Sequence, residues 1–221
     1  MARPTWVKST ISLTQRFKVC KLFAFNKSNH YTSVDVEHAL RYGLKVELIQ
    51  DDKPNFLYYS KDKLVNGAFL FKNYVKEFFE PKTQGLEGAK LLLNILWGAL
   101  CQKNTFQYNI RHEDSCTLID GKIDYLGFTK GHVEVKIIPY DKPFYLTDYA
   151  RIKPFILSYG RYMCYKKFKD MEDGIIRVHT DGVLTYNEHN DVKLGEGLGE
   201  IKNKYYKNVE ITGLNKLIKN N

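Results

Sequence analysis

Asp181 is the residue of this chain whose setting points most directly to metal chemistry. Apolar, partly β-branched runs at residues 175–178 and 183–186 flank a short polar centre, a pattern that predicts two strands joined by a tight turn. Such a turn holds a carboxylate at the tip of a hairpin, where its oxygens are candidate ligands for a metal ion. The alternative is that Asp181 and Gly182 only serve the turn, and the pattern by itself leaves both interpretations open.

A second set of residues that could do chemistry is Lys90, Asn94 and Trp97. Their spacing of four and three residues places all three on one face of a predicted helix. An ammonium, an amide and a large ring can hold a phosphate, a sugar or base edge, and a stacked ring respectively. The alternative is an ordinary amphipathic core helix with an extended lysine and a buried tryptophan.

Four helices would position these residues. They are predicted over residues 32–43, about 64–79, 87–103 and 148–169. Ser33 is predicted to cap the first helix and Gly43 to end it. Pro81 is predicted to break the second helix, and Pro154 to lie near the start of the fourth or at a kink.

The strands are predicted in other parts of the chain. Two are expected within residues 7–28 and one at 44–49, followed by strands over 108–139 and the hairpin at 175–186. The Asp-Gly pair at 120–121 and the Lys-Gly pair at 130–131 are predicted as hairpin turns. Because strands and helices are grouped in separate regions, the pattern favours an α+β fold over alternating βαβ units.

The composition is that of a folded protein with an anionic partner. The 221 residues are 43% hydrophobic and 27% charged, with a formal net charge of +9, so a core of ordinary size is expected. The positive charge favours nucleic acid ahead of an anionic membrane surface. The aromatic fraction of 14% suits base stacking, although tyrosine-rich cores give the same value.

Cysteines and apolar runs exclude several other classes. The four cysteines are scattered with no Cys-x-x-Cys pair, so neither a zinc site nor a dense disulfide framework is predicted. No apolar stretch is long enough to span a bilayer, and no membrane partner is expected. Abundant Lys, Asn and Tyr suggest an AT-rich genome, such as that of a mitochondrion, a virus or a linear plasmid.

Four segments, taken in order, resemble family B DNA polymerases. KLLLNILWG at residues 90–98 resembles the fingers-helix motif Lys-x-x-x-Asn-Ser-x-Tyr-Gly, and VHTDGV at 178–183 resembles the Asp-Thr-Asp-Ser hairpin of the palm. ARIKPFIL at 150–157 is similar to the palm helix before that hairpin, and YTSVDVEHAL at 31–40 to the segment between the first palm motif and the fingers. The resemblance covers most of the chain and is nearest to the protein-primed branch.

The resemblance implies a role for each matching residue. Asp181 would be a catalytic, metal-ligating aspartate of the two-ion phosphoryl-transfer site, with Mg²⁺ as the cofactor. Lys90 would contact the phosphates of the incoming nucleotide, while Asn94 and Trp97 would border the nascent base pair and its sugar. The Lys-x-Tyr element that touches template-primer DNA is loosely matched in the tail. Its counterparts here are Lys202, Lys204 and Tyr205, for which a solvated basic tail is the alternative.

The same comparison divides the chain into parts of a polymerase and names its partners. Residues 1–63 would connect palm and fingers, 64–107 would form the fingers helices, 108–192 the palm with its hairpin, and 193–221 the end of the palm or the start of the thumb. The expected fold is a partial palm, an antiparallel sheet with packed helices, plus fingers helices. The implied partners are DNA template-primer, deoxynucleoside triphosphates and a terminal priming protein.

The chain departs from the family pattern at several positions. His179 stands where the family has its first hairpin aspartate, Trp97 replaces a tyrosine and Ile95 a serine. The 221 residues contain no Asp-x-x-Ser-Leu-Tyr-Pro-Ser pattern, which carries the other metal-binding aspartate, and no exonuclease carboxylates. A single aspartate supplies half of the two-metal ligands, so we expect little or no polymerase activity from this chain alone. A non-catalytic nucleic-acid-binding remnant, and one piece of a split gene, are the alternatives.

Overall fold

The computed structural model describes residues 5–13, 20–111, 113–186, 192, 194–213 and 216–220. The chain forms two compact units: Met1–Gly85 together with Pro154–Asn221, and Leu86–Lys153. Within the described residues the fold is α+β, with four α-helices and antiparallel sheets. This confirms the predicted α+β class, whereas the partial palm with fingers helices stays a prediction. The division into four polymerase segments stays a prediction.

The first unit is built around one long strand. Strand β1 (Thr5–Ser12) pairs antiparallel with β2 (His30–Thr32), β3 (Lys45–Leu48) and β4 (Phe56–Tyr58). The strand expected at 44–49 is confirmed as β3. Of the two strands expected within 7–28, β1 is present, residues 20–28 form no strand, and residues 14–19 lie outside the described part of the chain.

Helix α1 (Ser33–Tyr42) packs beside these strands, within the range predicted for it. Its N-cap is Thr32 rather than Ser33, and a capping box joins Thr32 to Asp35. The helix ends as predicted at Gly43, which has a left-handed φ of 85°.

Helix α2 (Gly67–Thr83) runs through Pro81, so the predicted break at this proline is wrong. The proline lies in the last turn, where its missing N–H removes one hydrogen bond close to the helix end. The helix stops two residues later, before Gly85 with its positive φ of 88°.

Helix α4 (Lys153–Phe168) leads into the hairpin that the sequence predicted. A 3-10 segment (Ala150–Ile152) precedes α4 and another (Lys169–Gly174) follows it; Pro154 lies in its first turn, as expected. The hairpin consists of β8 (Ile175–His179) and β9 (Gly182–Thr185). Ile175, Cys164 and Phe168 are buried in the core that also contains residues of β1 and α1, so burial of apolar surface holds α4 and the hairpin to the sheet side of this unit.

The carboxy-terminal part of the first unit contains a hairpin that the sequence did not predict. Strand β10 (Asn208–Gly213) pairs antiparallel with β11 (Lys216–Asn220). Between β9 and β10 the described chain has no helix and only isolated bridging, at Leu194 and Ile201.

The second unit contains helix α3 (Glu87–Ala99) and a three-stranded antiparallel sheet. The strands are β5 (Phe106–Arg111), β6 (Gly121–Thr129) and β7 (His132–Pro139), in the order β5-β7-β6. The hairpin turn at Lys130 and Gly131 is confirmed. The one at Asp120 and Gly121 is wrong, because β5 pairs with β7 and not with β6. A Cβ at Gly121 would lie 2.4 Å from the Ile138 carbonyl oxygen, so this glycine permits close approach of two strands.

Candidate functional site

The predicted metal-ligating residue, Asp181, lies at the tip of the β8–β9 hairpin. His179 pairs with Gly182, so the two-residue turn consists of Thr180 and Asp181. The Asp181 side chain is exposed, and its Oδ1 accepts a hydrogen bond of 3.2 Å from the Thr180 hydroxyl. The carboxylate therefore projects from a short turn with a defined backbone, as the sequence predicted.

Thr180 holds this turn in a conformation that β-branched residues rarely adopt. Its φ is +51°, which is in the left-handed region and costs a residue with a Cβ about 1–2 kcal/mol. The Thr180 hydroxyl oxygen also lies 2.8 Å from the His179 carbonyl oxygen, so its single proton is shared between that oxygen and Asp181 Oδ1. A positive φ at the first central position is what a two-residue hairpin turn requires, so the hairpin imposes this conformation on Thr180.

Asp181 lies over helix α4. Burial raises the pKa of the Cys164 thiol on that helix, and the negative charge of Asp181 raises it further. Asp181 itself is exposed, and it lines the same groove as Cys164. The hairpin that carries Asp181 packs, through Ile175, on the same buried core as helix α4.

An open groove of about 1250 Å³ in the first unit connects Asp181 with the tail residues of the sequence prediction. Asp181, Lys202, Lys204 and Tyr205 all line it. Asp181 is about twenty positions away from the three tail residues in the sequence, and the fold brings it to the same surface as them. His179 is exposed and lies beside the turn.

The groove has mixed charge and many rings. Its lysines are Lys82, Lys167, Lys202, Lys204 and Lys207; its carboxylates are Asp181, Glu196, Glu200 and Glu210; and its rings include Phe79, Phe168, Tyr186, Tyr205 and Tyr206. Ammonium groups suit phosphate oxygens and rings suit bases. The carboxylates oppose such binding unless they are displaced, neutralised or used to hold a cation.

Two of the tail residues already have partners in this groove. The Lys202 ammonium lies 2.9 Å from Glu196 Oε1 and holds the pKa of that carboxyl below its usual range. The Asn203 amide donates to the Tyr205 hydroxyl at 2.9 Å. Lys204 is exposed. The sequence did not predict Glu196 and Glu200 as site residues, although the glycines at 195, 197 and 199 mark an unusual loop around them.

Lys90, Asn94 and Trp97 all lie on helix α3 and are exposed. Trp97 is 40% exposed, so the buried tryptophan of the alternative interpretation is not what the structure has. The Lys153 ammonium lies 5.2 Å from the centre of the Trp97 ring, a cation–π distance. The sequence gave no signal for this contact because the two residues are 56 positions apart.

The seven predicted residues therefore fall into two groups. Lys90, Asn94 and Trp97 belong to the second unit. Asp181, Lys202, Lys204 and Tyr205 belong to the first. Within each unit the predicted residues share one surface, a helix face in one case and a groove in the other.

The donor set for a metal ion is a single carboxylate. Among the described residues there is no group of three or more His, Cys, Asp or Glu side chains that could hold a metal ion. The oxygens of Asp181 suit Mg²⁺ in type, but one carboxylate does not match the pair that two-metal phosphoryl transfer uses. The described residues therefore do not complete a two-metal site.

No helix in the described ranges is long and apolar enough to cross a membrane.

Comparisons with protein-family models, with curated proteins and with solved structures found no match to this chain.

Proposed function

We propose that this chain is a carboxy-terminal palm and fingers portion of a family B DNA polymerase, of the protein-primed type. It would bind primer-template DNA and deoxynucleoside triphosphates with Mg²⁺, and the reaction class is template-directed nucleotide addition. The observation that carries the proposal is the groove shared by Asp181, Lys202, Lys204 and Tyr205. The ammonium groups and the phenol ring beside this hairpin-tip carboxylate suit the phosphates and bases of a template-primer end.

Helix α3 supports the same proposal independently. Lys90 and Asn94 are exposed one turn apart, and Trp97 follows on the same face. This is the arrangement that nucleotide binding needs, because a triphosphate requires a cation and the base a ring or an edge partner. The order of the four matching segments along the chain adds to this support.

The single carboxylate favours a second candidate, a nucleic-acid-binding protein without catalysis. Asp181 has His179 rather than another aspartate two residues before it. Both candidates require DNA binding, and they differ in whether nucleotide addition follows when a second aspartate is supplied.

The proposal is tested by the binding of a fluorescent primer-template duplex to the full chain over a salt series. Affinity is expected to fall with a slope of log K against log salt of about −2 or steeper, since each phosphate contact contributes about −0.9. Lys204→Ala is expected to reduce that slope by about 1. Lys61→Ala removes an exposed lysine that does not line the groove, and it should leave the slope unchanged. Absence of binding at low salt contradicts both candidates.

A further inference from the structure

Residues 194–201 form a closed loop on the groove. The Gly195 amide donates to the Ile201 carbonyl oxygen at 3.0 Å, and the Glu200 amide donates to the Gly197 carbonyl oxygen at 3.1 Å. Gly199 occupies the third position of this second turn with a φ of +81°, which suits glycine. The loop is therefore a compact ring of backbone held by its own hydrogen bonds.

The centre of the loop is filled by the Glu200 carboxylate. The Gly197 amide donates to Glu200 Oε2 at 2.7 Å, a short distance typical of a charged acceptor. A Cβ at Gly195 would lie 2.0 Å from the same oxygen, and one at Gly197 would lie 2.9 Å from it. Side chains at these positions would exclude the oxyanion, so the glycines make room for one.

A second carboxylate forms an ion pair with a lysine of the same groove. Glu196 pairs with the Lys202 ammonium at 2.9 Å, with both side chains more than half exposed. The Lys167 ammonium donates to the Gly199 carbonyl oxygen at the rim of the loop. Lys202 is one of the residues proposed above to contact DNA, yet its ammonium already has an anionic partner.

We infer that Glu196 and Glu200 hold the positions that two backbone phosphates of bound nucleic acid take. The inference rests on the proposed function, since it identifies how the same groove receives its DNA. A phosphodiester offers the same anionic acceptor oxygens as a carboxylate and can accept from the Gly197 amide and from Lys202. DNA must then displace both side chains, so the chain carries an internal competitor for its own polyanionic ligand.

The competition has a measurable consequence. Replacing either glutamate with glutamine keeps its size but removes the competing charge. Each of Glu196→Gln and Glu200→Gln is expected to bind primer-template DNA about five-fold more tightly at low salt, and the double variant more tightly still. The salt slope should steepen by about 1 for Glu196→Gln, because a freed Lys202 adds one phosphate contact.

The matched control is Glu210→Gln. Glu210 is an exposed carboxylate on β10 that lines the same groove, and its removal changes the groove charge equally without touching the loop. A gain for Glu196→Gln and Glu200→Gln that clearly exceeds the gain for Glu210→Gln supports the inference. Equal gains in all three would reduce the effect to overall charge and overturn it.

Two further measurements keep the outcomes distinct. Thermal unfolding of each variant reports whether the loop change disturbs the fold. Glu196→Gln alters no backbone hydrogen bond of the loop, so its DNA affinity tests the inference even if Glu200→Gln unfolds.

Titration with inorganic phosphate distinguishes nucleic acid from a free anion as the ligand of the loop. Saturation of the glutamine variants well below 1 mM phosphate would assign the loop to a free anion and contradict the nucleic-acid assignment. If the wild-type chain binds DNA but the glutamine variants bind it no more tightly, only this inference fails. If no variant binds DNA, the proposed function fails as well.

Discussion

The guanidinium of Arg161 on helix α4 donates to Asp35 Oδ1 at the first turn of helix α1, with a nitrogen–oxygen distance of 2.8 Å. The Asp35 side chain is 7% exposed, and its other oxygen accepts from the Ser158 hydroxyl at 2.6 Å. This ion pair joins the helix that supports the Asp181 hairpin to the helix that packs on β1. It thereby sets the position of α4 beneath the candidate site.

Removal of this cation should destabilise the first unit strongly. Arg161→Met leaves the Asp35 carboxylate buried without its countercharge, and breaking a buried pair costs about 3–5 kcal/mol. Because the Arg161 side chain is 35% exposed, the loss is expected at the lower end of that range. Urea unfolding followed by circular dichroism gives the value. Lys45→Met is the control, because Lys45 pairs with Glu47 at 2.7 Å with both side chains more than half exposed, where ion pairs contribute about 0.5 kcal/mol. Equal losses in the two variants would contradict the structural role of Arg161.

His38 is expected to make the stability of the chain depend on pH. The side chain is 1% exposed, and burial, followed by the charge of Arg161, lowers the pKa of His38 to about 4 despite the opposing effect of Asp35. The rings of Phe23, Tyr42 and Tyr165 surround it. The folded chain thus holds this imidazole neutral under conditions in which the unfolded chain protonates it.

The direction in which pH changes the stability follows from proton linkage. Between the unfolded pKa of 6.5 and the folded value of about 4, the unfolded state binds more protons, so the free energy of unfolding falls as pH falls. The loss attributable to His38 should reach about 2–3 kcal/mol at pH 4 relative to pH 7. His38→Phe should remove that part of the pH dependence in urea titrations, whereas His30→Gln, at an exposed position, should retain it. An unchanged pH profile in His38→Phe would contradict the assignment.

The strained turn beside Asp181 can be tested through Thr180. Asparagine accepts a left-handed φ more readily than threonine does, so Thr180→Asn is expected to stabilise the chain by about 0.5–1 kcal/mol. The same replacement at Thr185, in the extended strand β9, should destabilise it because asparagine is disfavoured in strands. Thermal unfolding measures both. A loss of stability in both variants would show that the turn is not strained at Thr180.

Primer extension by the chain alone is expected to be weak or absent in either Mg²⁺ or Mn²⁺. Asp181 is one carboxylate, and two-metal transfer between two anionic substrates requires a second. The assay uses a primed template with all four deoxynucleoside triphosphates and gel detection of single additions. Robust incorporation by the wild-type chain that Asp181→Ala abolishes would contradict the expected inactivity; Asp173→Ala, an exposed carboxylate at the opposite end of β8, is the matched control.

Local patterns of the sequence were sufficient for several elements of the fold. The Asp181 hairpin, helix α3 and the Lys130 turn depend on periodicity and turn residues within a short segment, and the structure contains all three. Gly43 ends α1 as expected because only local backbone geometry decides it. A single sequence can therefore predict the elements whose formation depends on neighbouring residues alone.

Other features depend on contacts between distant residues. The Arg161–Asp35 pair spans 126 positions, and the order β5-β7-β6 cannot be read from the turn at Asp120. The groove likewise requires the hairpin that carries Asp181 and the tail that carries Lys202 to fold onto one surface. The sequence could identify these residues by type, but their partners are fixed by tertiary packing.

The most direct test of the polymerase assignment is the binding of a deoxynucleoside triphosphate with Mg²⁺ to helix α3. Isothermal titration of the full chain with dATP and Mg²⁺ is expected to show binding that Lys90→Ala weakens about ten-fold, since the proposed function has the ammonium contact the triphosphate through charge-assisted hydrogen bonds. Lys130→Ala, an exposed lysine in the β6–β7 turn of the same unit, should leave the affinity unchanged. Absence of nucleotide binding, or an equal loss in the two variants, would contradict the account.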